Sequence, residues 1–124
     1  MSVLTPSAPQ PPFDVNVKSH VAAGSSFFSS ASVSTSAVQA VSPASNTNGI
    51  LLVAIRIVSG GATAMLFRGT SAPSSWNDIS KALVAIANSA GVVFFQDLVI
   101  PSGQGLWFIG SGAVNYCNVE YEFL

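Results

Sequence analysis

GVVFFQDLVIPSGQGLWFIGSGAVNYCNVEYEFL, residues 91–124, decides the fold. Three runs of strand-forming residues, Val92–Ile100, 106–109 and Tyr116–Phe123, are separated by two loops rich in Gly and Ser. The last run alternates. Cys117, Val119, Tyr121 and Phe123 fall on one face, and Asn118, Glu120 and Glu122 on the other, the period-2 pattern of a half-buried strand. Pro101 ends pairing in the first loop, and Gly103 and Gly105 accept backbone angles that other residues avoid. The rest of the chain reads as earlier strands packed against this ribbon.

Working back from it, Ile50–Val58 (ILLVAIRIV) is apolar on both faces and predicts a central strand of a packed sheet. Ser59-Gly60-Gly61 turns the chain and residues 62–68 return, so the pair predicts a hairpin. Residues 79–88 (ISKALVAIAN) suit a helix by Ala and Leu content, with Asp78 as its cap, or a strand by Val84-Ala85-Ile86. A short strand over 83–87 is the preferred reading. Upstream, 13–21 predicts a first strand, GSSFFSS at 24–30 breaks it, and 31–41 predicts a second whose faces are poorly differentiated, leaving its register weakly specified. Residues 42–49 (SPASNTNG) form a turn-rich loop. Residues 1–12 carry Pro6, Pro9, Pro11 and Pro12 and read as an extended arm outside the domain, 13–124. About eight short strands with frequent turn signals predict an all-β, antiparallel, jelly-roll-like sandwich.

Composition narrows the function. Only 7% of the 124 residues are charged, where about 25% is usual. Serine supplies most of the polar surface instead, and a surface so poor in charge predicts cover by other subunits or a larger assembly. Four scattered Lys and Arg and a net charge of −1 exclude the basic cluster that nucleic-acid binding needs. The N-terminus lacks a basic stretch followed by an apolar one, so no signal peptide is expected, and synthesis in a host cytoplasm follows. Residues 50–55 are far too short an apolar run to span a membrane.

Chemistry is hard to find. His20 is the sole histidine and Cys117 the sole cysteine, in predicted strands at opposite ends of the chain, so neither a metal site nor an activated nucleophile is expected. Glu120 and Glu122 share a face, which reads as a solvated strand surface. Asp78 and Asp97 show no sign of pairing as glycosidase carboxylates, and the Gly pairs precede strands, not helices, so they cradle no phosphate. Neither an enzyme nor a cofactor is expected. Arg56 needs a partner if buried, and Asp97 is a candidate. Trp107 lies in a two-faced apolar strand and reads as core or subunit contact. Trp76 lies in a polar loop, beside Asn77 and Asp78, where it either plugs the end of the sandwich or, with those two, stacks on a sugar ring.

VIPSGQGLWFIGSGAVNYCNVEYEF resembles the closing strands of small β-sandwich virion proteins of tailed bacteriophages, of the decoration or cementing type. The matching residues are Ile100, Pro101, Gly103, Gly105 and Leu106, then Val119 and Tyr121. The resemblance implies a capsid decoration protein located in the virion, or a small fibre or tail component, and it brings no catalytic residue. The expected partners are further copies of the chain and a major capsid protein, through Phe13, Phe27, Phe28, Trp76 and Trp107. The alternative is a glycan- or receptor-binding module of a fibre or tail, with Trp76, Asn77 and Asp78 in the site. Val92–Ile100 and 106–109 are apolar on both faces, more than a two-layer sandwich uses, and the surplus is expected to point outward at a partner.

Overall fold

The computed structural model describes residues 26–88 and 91–124. Within them eight strands form two four-stranded antiparallel sheets, and the one helical piece is a 3-10 turn at Pro43–Ser45. The strands are β1 (Ser26–Ser30), β2 (Val38–Val41), β3 (Ile50–Val58), β4 (Ala64–Gly69), β5 (Ala82–Ala87), β6 (Val92–Ile100), β7 (Gly105–Gly110) and β8 (Tyr116–Phe123). One sheet runs β1-β8-β3-β6 and the other β2-β7-β4-β5. An all-β sandwich is what the alternation predicted. The expected arm, the strand at 13–21 and the contact residue Phe13 lie outside the described residues.

The two sheets meet on one apolar core. β3 supplies Ile50, Leu52, Ile55 and Ile57, and β8 supplies Cys117, Val119 and Tyr121. From the opposite sheet come Ala64, Leu66, Ala85, Leu106 and Phe108. The inward step of β3 changes parity between Leu52 and Ile55, where both registers shift. Against β8 the extra residue is Val53 of β3, which lets both halves of β3 face the core, and against β6 the extra residue lies in β6, where Gln96 and Asp97 oppose Val53. Phe28 of β1 stacks on Phe108 of β7, with ring centroids 6.3 Å apart, and so ties the two layers together. Burial pushes the Cys117 thiol up to about 12 and raises the Tyr121 hydroxyl as well.

Four expectations are corrected. The last five residues of GSSFFSS are not a break: they are β1, an edge strand whose Phe28 faces inward while Phe27 faces out. The strand expected over 31–41 shrinks to β2. Its first half crosses between the sheets and is clipped to the β7–β8 loop by a Val33–Val114 bridge and by the Gly110 amide donating to the Ser34 carbonyl at 2.7 Å. The Ser59-Gly60-Gly61 turn does not close a paired hairpin, because β3 and β4 belong to different sheets. The C-terminal strands are likewise no continuous ribbon: β6 and β8 flank β3, and β7 crosses to the other sheet. Turn residues dictate that the chain reverses, and core burial dictates which layer it rejoins.

Buried Asn46 knits one end of the sandwich. Its Nδ2 donates to the carbonyls of Pro101 at 2.7 Å and Gln104 at 2.9 Å, and its Oδ1 accepts from the Gly49 amide at 2.7 Å. Its own carbonyl accepts from the Gly103 amide at 2.7 Å. The β6–β7 loop is thereby fastened to the β2–β3 connection.

Candidate functional site

The two outer faces of the sandwich differ. On β4 and β7 the outward residues Met65, Phe67 and Ile109 are buried, with Ala37 packed on them. Trp107, also outward, is only 5% exposed. The outward surplus read from 106–109 is therefore absorbed within the chain, and neither Trp107 nor the inward-facing Phe28 offers its ring to a partner.

The outer face of the β1-β8-β3-β6 sheet is open. Phe94 packs toward the core, so Phe95 beside it points out, and it is 81% exposed. Val93 and Val99 share that face of β6 and are also exposed. Registers place Phe27, Glu120, Ala54 and Phe95 in one row across the four strands. Phe27, 69% exposed, and Phe95 thus stand at the two ends of a row about 14 Å long, three strand spacings. Arg56 is exposed on this face opposite Val93 and Asn118, so solvent satisfies it. Asp97 is exposed farther along β6, at the bulge, and does not register with Arg56.

Edge strands β5 and β6 lie along one side, bridged where Gln96 Nε2 of β6 donates to the Val84 carbonyl of β5 at 3.3 Å. Val84 is the bulged residue of β5, which frees its carbonyl for that bond. Natural sheets guard their edges with charges or bulges. Here Gln96, Asp97 and the β3–β6 bulge interrupt an otherwise apolar nine-residue edge.

No protein-family model matches the chain, and no curated protein or solved structure is similar enough to count as a relative.

The loop between β4 and β5 holds the residues considered for a sugar. Both oxygens of Asp78 are taken up by the loop itself. Oδ2 accepts from the Ser74 amide and hydroxyl, and Oδ1 accepts from the Ser80 amide and hydroxyl. These bonds, the Ser80 hydroxyl foremost, hold the carboxyl well below the usual carboxylate range. Asn77 Oδ1 accepts from the Ser75 hydroxyl. Trp76 is 37% exposed, between the plugged and the free-standing reading. Asp78 is accordingly a loop organiser. Among the described residues no three His, Cys, Asp or Glu side chains cluster as metal ligands.

The same loop borders two clefts that sequence reasoning missed. One, of about 270 Å³, is lined by Met65, Phe67, Ile79 and Leu83, with Asn77, Asp78 and Lys81 at its polar side. The other, of about 250 Å³, is lined by Arg68, Thr70, Ser80, Lys81 and Gln104. No motif announces either, because their walls come from β4, β5 and the β6–β7 loop. The one local signal was two cations, Arg68 and Lys81, flanking a Ser-rich loop in a chain that has only four.

Proposed function

We propose that this chain is a non-enzymatic structural protein of a phage particle, a decoration or cementing subunit that oligomerises and binds a capsid lattice. The exposed outer face of β6, carrying Val93, Phe95 and Val99, is the observation that carries the reading. Exposed apolar residues concentrated on one edge strand mark a contact surface, and a chain this poor in charge has little else to keep that surface from associating. The pairing of β1 with β8, β2 with β7, β3 with β6 and β4 with β5 supports taking the sandwich as a jelly roll, an architecture common in capsid and lectin domains. The resemblance of residues 99–123 to closing strands of phage decoration proteins supplies the particle.

The mechanism is mechanical. Covering a phenylalanine side chain contributes roughly 2 kcal/mol before association costs. Repetition over many copies turns weak contacts into firm attachment. Sedimentation equilibrium of the wild type and of Phe95→Ser tests it. The wild type is expected to self-associate and the variant to shift by at least about tenfold toward monomer. A wild type that stays monomeric into the millimolar range, and fails to cosediment with capsids of the phage that encodes it, sinks the reading.

The second reading, a glycan- or receptor-binding module, draws on the half-exposed ring of Trp76 beside Asn77. Glycan-array binding that Trp76→Ala abolishes with the fold intact would replace the first reading with this one.

A further inference from the structure

The two clefts beside the β4–β5 loop meet at Lys81, which lines both. Their chemistry is opposite. The first offers thioether, aromatic and aliphatic walls, and Ile79 stands at its rim 100% exposed, an aliphatic side chain with no cover of its own. The second offers two cations with the hydroxyls of Thr70 and Ser80 and the amide of Gln104, and no carboxylate lines it. Arg68 Nη1 donates to Gln104 Oε1 at 2.6 Å and Lys81 Nζ to the Ser71 hydroxyl, so both cations are oriented by neutral acceptors and keep their charge uncompensated by these bonds. Asp78 borders the apolar cleft, where its negative charge disfavours an anion and leaves the Arg68 side as the anion's place.

Neither cleft alone reaches the roughly 300–1,000 Å³ of small-molecule sites, and both lie open at the surface. Two adjoining open clefts of opposite chemistry suit neighbouring side chains of a peptide better than one compact ligand. We infer that the clefts flanking Lys81 form a single docking site for a short segment of a partner protein in which a carboxylate side chain lies next to an aromatic or aliphatic one. The carboxylate is received by Arg68 and Lys81, and the apolar side chain lies against Met65, Phe67 and Leu83 under Ile79. Charge complementarity carries the assignment: an anion is the group that two cations lining one cleft with no carboxylate in its walls select. The site lies on the β2-β7-β4-β5 sheet, so it is separate from the β6 face and stands whether or not that face assembles.

The test is a titration of the ¹⁵N-labelled full chain with blocked dipeptides, followed by amide shifts. Acetyl-Glu-Phe-amide is expected to move resonances at Arg68, Lys81 and Leu83 together. It should bind about tenfold more tightly than acetyl-Gln-Phe-amide, the effect of one charge-assisted hydrogen bond. Lys81→Gln, at a half-exposed position, and Arg68→Gln should each erase that preference, and Leu83→Ala should weaken both peptides alike. If Arg68→Gln fails to fold, Lys81→Gln alone decides. Equal binding of the Glu and Gln peptides, or no shift at the two clefts, overturns the inference. Tighter binding of 3-phenylpropionate than of the peptide overturns the choice of a protein segment, since the site would then take small amphipathic acids.

Discussion

Asn46 lets the stability of one end of the sandwich be predicted in some detail. Asn46→Ala removes three side-chain hydrogen bonds at once. The carbonyls of Pro101 and Gln104 lie near the surface and regain water, so each loss costs about 0.5–1.5 kcal/mol. The Gly49 amide is buried and regains nothing, which adds about 1–3 kcal/mol. The expected total is about 4 kcal/mol, which at a slope of about 2 kcal/mol/M lowers the urea midpoint by roughly 2 M. Asn46→Asp sharpens the argument. It keeps the acceptor for Gly49 but sets a carboxylate oxygen against two carbonyl oxygens where Nδ2 now sits, at 2.7 and 2.9 Å. At pH 7 it should be less stable than Asn46→Ala. Its folded pKa must rise above the unfolded value near 3.9, because only the protonated acid can donate there. Stability relative to the wild type is then highest below about pH 4 and falls as pH climbs through the folded pKa. Urea titrations at pH 3, 5 and 7, followed by tryptophan fluorescence and expressed as differences from the wild type, measure this. A loss under about 1 kcal/mol for Asn46→Ala, or an Asn46→Asp deficit that does not change with pH, would refute the clasp.

Cys117, fully buried and held neutral to about 12, should resist iodoacetamide until the protein unfolds. Because the unfolded thiol ionises near 8.5, stability should decline as pH rises above that value, and Cys117→Ala should remove this slope. Gly105→Ala should cost at least about 2 kcal/mol in thermal or urea unfolding, since the added Cβ would lie 2.4 Å from the Val41 carbonyl oxygen and 2.8 Å from Pro43 Cδ. Asp78 keeps its charge well below the usual carboxylate range, so its bonds are present above the unfolded value near 3.9 and are lost only as pH falls through the lower folded one. Amide protection at Ser74 and Ser80 should therefore survive at pH 3 in the wild type and vanish in Asp78→Ala, which removes both acceptor oxygens, as hydrogen exchange would register.

Where local pattern and burial coincide, the sequence was legible. β8 runs Tyr116–Phe123 as its alternation requires, and β3 and β6 match their apolar runs. β5 begins at Ala82, one residue before the expected start, and the helical alternative for that segment fails against a strand partner in β4. β1 was hidden because SFFSS carries one core residue, Phe28, among serines, and β8 supplies its pairing. The return of β4 into the other sheet was hidden because turn residues encode reversal and say nothing of partners. Two-faced apolarity proved ambiguous in the same way. On β6 it marks an exposed surface, and on β7 it marks residues that the chain buries itself, a distinction set by segments far off in sequence. The clefts at Lys81 were illegible for that reason as well.

The position of β8 between β1 and β3 also governs how the molecule can come into being. Ser26 pairs with Tyr121, and Ile50 pairs with Phe123, so among the described residues neither β1 nor the β8 side of β3 has its strand partner until β8 exists. Among the described residues, the only pairing between consecutive strands is that of β4 with β5. Folding dominated by such distant pairings is slow, because loop closure precedes its reward. On the ribosome, β1 and β3 wait with unfilled edges while the rest is made. A surface so poor in charge then does little to keep nascent chains apart, and the exposed edges of β1 and β3 persist until β8 has been made.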